Sequence, residues 1–463
     1  MSRYLMVDFG STFTKLTAVD SELEDVIATA SHFTTVDTDI SIGYNNALKI
    51  LADKLGEEKP SFDKIIGCSS AAGGLKMAAI GLVEELTLEA SKRVCLGAGA
   101  KVELAFSHHL TNADVDKIIE KKIDIILLSG GTDGGNTECV LFNQEMLCKR
   151  GIKIPIIFAG NKNCTDEVKA LAKEYGMNEY YCENVMPRLN VLNIDSARDT
   201  IRKIFLENII VAKGIKKIEG EIDGLLLPTP ESVLRASTLL ADGYMHETGL
   251  GEIVLIDIGG ATTDTYSICS ASAKRSDVVI KGLEEPYAKR TVEGDLGMRY
   301  SALGVLNSLT EEEIRLIETD EKVDIKKELL YRHENVDCIP QNEEQKKVDV
   351  IMGRICVDKA IGRHAGKMEE AYTPMGMLYN QYGKDLSKVN FVIGTGGVLV
   401  HNDEPVKILS AVEYSIKKGM ELRPVNPRYM LDKDYILASM GLLAEIDPLL
   451  ALKIMKKHVV AIK

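Results

Sequence analysis

A chain of 463 residues with 69 Asp and Glu against 56 Lys and Arg has a formal charge of −13, and it contains no Trp. That length fits two or three cores, since single domains stop growing at about 250–300 residues, and 45% hydrophobic with 27% charged residues excludes wholesale disorder. The acidic balance excludes broad electrostatic binding to nucleic acid or anionic lipid, and no apolar run reaches the roughly 18 residues of a membrane helix.

Met1–Asp8 runs into acid, and then Gly10, too soon for the apolar core of a signal peptide. Nine cysteines stand singly with no C-x-x-C pair, as reduced thiols do in a reducing compartment. A cytoplasmic protein is expected. In chain order, β-branched runs predict strands at Tyr4–Phe9, Ile123–Leu128, Ile154–Ala159, Gly224–Leu227, Ile253–Ile258 and Asn390–Ile393. Amphipathic segments predict helices at Tyr44–Leu55, Leu75–Lys92, Asp166–Tyr175, Ser196–Ile210, Ser232–Met245, Tyr435–Ile446 and Pro448–His458. This alternation is the pattern of α/β layers. A new βα series begins near His108 and His109 and runs to about Asp223. From Glu311 to Asp349 there are 13 acids to 7 bases, with apolar residues such as Ile314, Ile317, Ile325 and Leu329 at helical spacing, which predicts a solvated helical excursion.

Three glycine-rich turns carry the chemistry. The first is Val7-Asp8-Phe9-Gly10-Ser11-Thr12-Phe13-Thr14-Lys15, directly after a strand. Gly10 permits a tight turn, and backbone amides with the Ser11, Thr12 and Thr14 hydroxyls suit phosphate oxygens. Asp8 suits Mg²⁺, which favours a carboxylate plus retained waters. The second is Ile256-Asp257-Ile258-Gly259-Gly260-Ala261-Thr262-Thr263-Asp264, which repeats the logic of acid, glycine and hydroxyls. The pair predicts two similar half-domains gripping one nucleotide's phosphate chain, with Asp8 and Asp257 sharing a cation. The third is Val392-Ile393-Gly394-Thr395-Gly396-Gly397-Val398, where Gly394, Gly396 and Gly397 would let the backbone approach a base or sugar.

In this order the three turns resemble the phosphate-1, phosphate-2 and adenosine motifs of the actin–Hsp70–sugar kinase ATPase superfamily. Pro228–Ala236 resembles its first connecting helix and Tyr435–Leu443 its second, whose small residues allow close crossing. The superfamily places a Glu or Gln in the first connector to position the attacking water; here either Thr229 or Glu231 aligns, and Glu231 joins Asp8 and Asp257 as the catalytic expectation. The likeness implies ATP and Mg²⁺ as ligands, with Lys15, Ala261, Thr262 and Thr263 among the phosphate contacts. It implies an α/β fold of two actin/Hsp70-like ATPase lobes with an inserted α/β domain. Lobe I is expected over 1–106, completed by 226–248 and 434–463, the insertion over 107–225, and lobe II over 249–433 with the charged excursion at 311–349.

Further segments narrow the likeness: Ser69–Met77, Gly97–Ala100, Leu128–Asn136 and Val292–Gly297. With the turns, they resemble the glutamate mutase accessory protein family, the L component encoded with adenosylcobalamin-dependent mutases and aminomutases. That implies an ATP-dependent, chaperone-like role in reactivating a mutase partner, with nucleotide biasing the opening and closing of the lobes. Glu293 and Asp295 suit either Mg²⁺ or a helix cap. The Ser129–Asn136 loop, with Asn161 beside it, reads as the tip of the insertion, either a partner surface or an anion site. There is no G-x-x-x-x-G-K-[ST] and no G-x-G-x-x-G. No His has an Asp two residues before and a Gly three after, so the protein is expected to service cobalamin enzymes without replacing the cofactor's base. The alternative is a small-molecule kinase or hydrolase of the same superfamily, which needs a base toward an acceptor hydroxyl.

Overall fold

In the computed structural model the described residues are 2–10, 13–34, 40–70, 75–212, 222–223, 226–374 and 376–463. The chain opens with β1 (Arg3–Phe9), β2 (Phe13–Asp20) and β3 (Asp25–Phe33), then a helix over Ile40–Leu55 and β4 (Lys64–Ser69). Leu5–Phe9 of β1 is buried throughout, as a near-continuous apolar run in a central strand requires.

The next segment is where the sequence misleads. Leu75–Lys92, predicted as one helix, is instead β5 (Lys76–Gly81) followed by helical turns over Glu84–Leu88 and Glu89–Gly97. Met77–Gly81 is buried with a strand on either side, and a short apolar run of small residues satisfies helix and central strand alike. β6 (Lys101–Ser107), β7 (Ile125–Leu128), β8 (Ile156–Phe158) and β9 (Glu179–Tyr181) complete a parallel sheet of order β6-β5-β7-β8-β9. The boundary expected at 107 therefore runs through this sheet, because β5 pairs with both β6 and β7. A helix over Asp195–Ala212 follows, and β10 (Leu226–Pro228) returns to the first sheet, giving the order β10-β4-β1-β2-β3.

After the helix Thr229–Asp242 comes a two-stranded ribbon, β11 (Gly243–Tyr244) and β12 (Glu247–Thr248). The second large sheet is built from β13 (Ile253–Ile258) and β14 (Thr263–Ile268), then, past β15 (Val278–Lys281), from β16 (Ala288–Glu293). After β17 (Lys367–Thr373) and β18 (Gly376–Tyr382), which form a small sheet with β15, it gains β19 (Phe391–Thr395), β20 (Arg428–Asp432) and β21 (Val459–Ala461). Its order is β16-β14-β13-β19-β20-β21. The C-terminal strand, expected with the first lobe, thus closes the edge of the second sheet.

Numbered within each sheet, the sheet of β1 and the sheet of β13 share the order 3-2-1-4-5, to which the latter adds β21 as a sixth strand at its edge, and the 1–4 and 4–5 pairs are parallel in each. The charged stretch is helical over Glu311–Glu321 and Ile325–Glu334 and enters the helix Glu343–His364. It is not merely solvated. Ile314, Ile325, Leu329 and Val348 sit in the core beside Val254 and Ile256, and Arg332 is buried, donating to Asp349. Two compact units result, Ser2–Ala18 with Ala30–Glu231 and Val19–Thr29 with Ser232–Lys463. No helix among the described residues is long and apolar enough to cross a membrane.

Candidate nucleotide-binding turns

In the first turn the Gly10 amide donates to the Phe13 carbonyl at 3.1 Å, and a Cβ on Gly10 would stand 2.6 Å from that oxygen. Ser11 and Thr12 lie outside the described residues. Asp8 is buried near the end of β1 and faces Cys68 across the parallel pair with β4. Its Oδ1 accepts the Thr229 hydroxyl at 2.7 Å and the Cys68 thiol at 3.4 Å, while Lys15 Nζ stands 3.7 Å from Oδ2. Burial, and then the Asp8 charge, push the Cys68 thiol well above its ordinary value, so it stays a neutral donor. Thr14, expected at the phosphates, is wholly buried on β2, its hydroxyl paired with that of Thr34 at 3.0 Å.

The connector divides its two candidates. Thr229, the first residue of its helix, touches Asp8. Glu231 is buried and gripped by the Arg202 guanidinium through both oxygens. Gly99 underlies this start: a Cβ there would meet Pro228 at 2.7 Å. Further along, Ser232 donates to the Ala438 carbonyl at 2.7 Å, and a Cβ on Gly441 would run into the Ser232 carbonyl oxygen. The two connectors do cross on small residues.

The second turn repeats the first hydrogen bond, Gly259 amide to Thr262 carbonyl, at 2.8 Å. Here a neighbouring segment clasps it. Met298 N donates to the Gly259 carbonyl at 3.0 Å, Arg299 N to that of Gly260 at 2.8 Å, and Gly297 lies against Ala261. The buried Thr263 hydroxyl donates to the Leu296 carbonyl at 2.9 Å, and Thr262 to Asp264 at 3.2 Å. Asp257 lies between Asp264 on β14 and Thr395 on β19. Asp264 is balanced by the buried Arg290 guanidinium, 2.7–2.8 Å away.

In the third turn, Gly394 meets the Leu399 and Leu409 side chains, and Gly396, at φ +100°, brings the backbone against the Ile258 carbonyl. Gly397 faces open space and starts the helix Gly397–Val400. Sequence reasoning missed Asp432, which organises this end. Wholly buried at the end of β20, it accepts from Thr395 at 3.0 Å and from the Ile436 and Leu437 amides at 2.9 and 3.2 Å, capping the second connector. Burial pushes its carboxyl above the usual carboxylate range against those donors. Its signal in the sequence is an acid five residues before the first residue of a small-residue helix, Leu437.

Glu293 and Asp295 are turned to Arg363, at 2.5 and 2.9 Å, so a guanidinium stands where a cation was expected. Burial raises the Glu293 carboxyl, and Arg363 opposes that shift. Neither acid caps the helix Ala302–Asn307, whose N-cap is Ser301. Among the described residues no three His, Cys, Asp or Glu side chains form a metal cluster. Asp8 nonetheless fits a hydrated Mg²⁺, which takes few carboxylates: both close donors are on Oδ1, and the Lys15 cation lies beyond hydrogen-bond distance of Oδ2. The Ser129–Asn136 loop is held from within. Asn161, fully buried, accepts from Gly134 N and donates to the Gly135 carbonyl, both at 3.1 Å, and Asn184 donates to Asp133 at 2.9 Å.

The doubled strand order and the paired turns are those of the actin- and Hsp70-like ATPase fold class. The family model described as MutL protein matches residues 4–459, and the chain belongs to that family. A curated relative, Protein MutL of Clostridium tetanomorphum, is 49% identical over 462 residues, covering 100% of both chains. Among solved structures, nucleotide-free acetone carboxylase aligns over 96% of this chain and 70% of its own at 10% identity and a TM-score of 0.38. Glycerol dehydratase reactivase aligns over 96% and 99% at 10% identity and a TM-score of 0.31. Scores this low leave the fold to the strand order and the family match.

Proposed function

We propose that this chain is a Mg²⁺-dependent ATP-binding accessory protein, chaperone-like in action, that maintains or reactivates an adenosylcobalamin-dependent mutase such as glutamate mutase in the cytoplasm. The observation that carries the reading is the duplication. One strand order occurs twice, each time with an acid near the end of its first strand and the same glycine-closed turn after it. The mutase partner rests on the family resemblance of the glycine-rich segments. The matching domain proposal is two ATPase lobes with an inserted α/β domain that opens at β5.

In this reading Asp8 offers Oδ2 to the cation and Lys15 meets phosphate oxygens. Taken by itself, the clasped Gly259–Thr263 turn is a rigid backbone edge of the kind that suits phosphate oxygens. Mg²⁺, when bound, neutralises polyphosphate charge and orients the terminal phosphate for in-line attack. Thr229 holds Asp8, and Arg202 restrains Glu231, the only carboxylate in the first turn of that helix. Hydrolysis without a partner is accordingly expected to be slow.

The test is reactivation. Inactivated holo-mutase incubated with this protein, ATP, Mg²⁺ and fresh cobalamin should regain activity only when all are present. Failure to bind or restore the mutase, together with ADP release that depends on an added small hydroxyl acceptor, would move the assignment to a kinase.

A further inference from the structure

We propose that Thr229 and Cys68 are positioning residues that fix the plane of the Asp8 carboxylate, so that one oxygen is committed to the protein and the other is presented to a divalent cation. The inference rests on the reading of Asp8 as the cation-bearing acid of a nucleotide site. Three strands lying side by side create the arrangement. β1 and β4 pair Asp8 with Cys68, and β4 and β10 pair Cys68 with Leu227, two residues before Thr229. The thiol therefore reaches Asp8 sideways across the sheet, and the hydroxyl reaches it from the first residue of the connector helix.

Both donors choose the same atom. Thr229 Oγ1 is 2.7 Å and Cys68 Sγ 3.4 Å from Oδ1, whereas Oδ2 has Lys15 Nζ at 3.7 Å. The carboxyl torsion of an aspartate is broad and roughly two-fold when nothing restrains it. Two donors on one oxygen remove that freedom. They also compensate a carboxylate that is only 4% exposed. Outer donors of this kind orient first-sphere ligands of metals, and their loss commonly costs about 10–100-fold in metal affinity. Thr229 is itself held firmly, because Pro228 rests on Gly99 and Glu231 is pinned by Arg202 within the same helical turn. The weaker, longer thiol contact makes Cys68 the lesser of the two.

The experiment titrates Mg²⁺ against the intact protein with a fluorescent ATP analogue, and measures nucleotide affinity again in EDTA. Thr229→Val should raise the Mg²⁺ concentration for half-maximal nucleotide binding by about tenfold while leaving the EDTA affinity within about twofold. Thr229→Ser should restore the wild-type Mg²⁺ requirement. Cys68→Ala should raise it by about threefold and Cys68→Ser should leave it near wild type, the smaller change reflecting a weaker donor. Thermal melts of each variant separate positioning from unfolding. Equal loss with and without Mg²⁺, or a Thr229→Ser variant that is no better than Thr229→Val, would overturn the inference. If Asp8→Asn abolishes the Mg²⁺ dependence but Thr229→Val does not, only this inference fails. If the wild-type protein binds no nucleotide in Mg²⁺, the reading of the site fails first and the inference falls with it.

Discussion

The two glycine turns close with the same hydrogen bond on sheets of the same order, yet they are stiffened by opposite means. Around Gly259 the backbone of Met298 and Arg299 clasps the turn, and the buried Arg290–Asp264 pair backs it from the next strand. Around Gly10 the described contacts converge instead on one side chain, Asp8, through Thr229, Cys68 and Lys15. A duplicated topology thus fixes where an acid stands but not how it is supported. One copy has a rigid frame, and the other has a tuned carboxylate.

That contrast can be broken most sharply by charge. Arg290→Met strands a buried Asp264 and should cost about 3–5 kcal/mol in urea unfolding. Lys15→Met, removing a partly exposed and distant partner of Asp8, should cost under about 1 kcal/mol while weakening nucleotide binding. Equal losses in stability would erase the distinction. Asp432→Ala comes next. It leaves the Thr395 hydroxyl and the Ile436 and Leu437 amides without their acceptor, an expected loss of about 1–3 kcal/mol by the same measurement.

Asp8→Ala and Asp257→Ala compare the two acids directly. Each should weaken Mg-ATP binding by about tenfold or more with the fold retained, and Asp8→Ala should also lower the melting temperature because the Thr229 hydroxyl and Cys68 thiol lose their acceptor; unchanged affinity and turnover in both would remove the site assignment. The smallest effect concerns the hairpin tip between β2 and β3. His458 is hydrogen-bonded to Asp25 at 2.7 Å and Asp434 at 2.6 Å, with Lys457 also near Asp25. Burial opposes the charge, but the two carboxylates win and the imidazole titrates above its ordinary value. Its stabilisation is therefore whole below about pH 6.5 and is lost as pH climbs through the higher folded value. Melting temperatures of His458→Gln and wild type should differ at pH 6 and converge toward pH 9.

How legible this was depends on whether a contact is local. Ile253–Ile258 and Pro448–His458 were readable to the residue, because a glycine pair ends one and an Asp-Pro start opens the other. The first connector begins at Thr229, three residues before its apolar rhythm, since a proline fits the first helical turn. The turns and their acids were visible for the same local reason. Cys68 beside Asp8, Arg202 on Glu231 and Arg363 on Glu293 were not. Each joins residues at least 29 apart, by strand register or helix packing that no short spacing encodes. Lys76–Gly81 was misread because only its neighbours on both sides make it a strand.

The cysteines leave a practical legacy. Seven of the nine are buried, and only Cys182 and Cys338 are partly open. One lies in each compact unit. Cys182 hangs from the Phe158 carbonyl at the end of β8, near the loop that carries Asn184, and the Cys338 carbonyl accepts from Arg299, whose backbone clasps the second turn. Cys338 is therefore the native thiol best placed to react with a thiol-directed dye beside the second turn, because burial pushes the Cys182 thiol up to about 12 and keeps it protonated and slow.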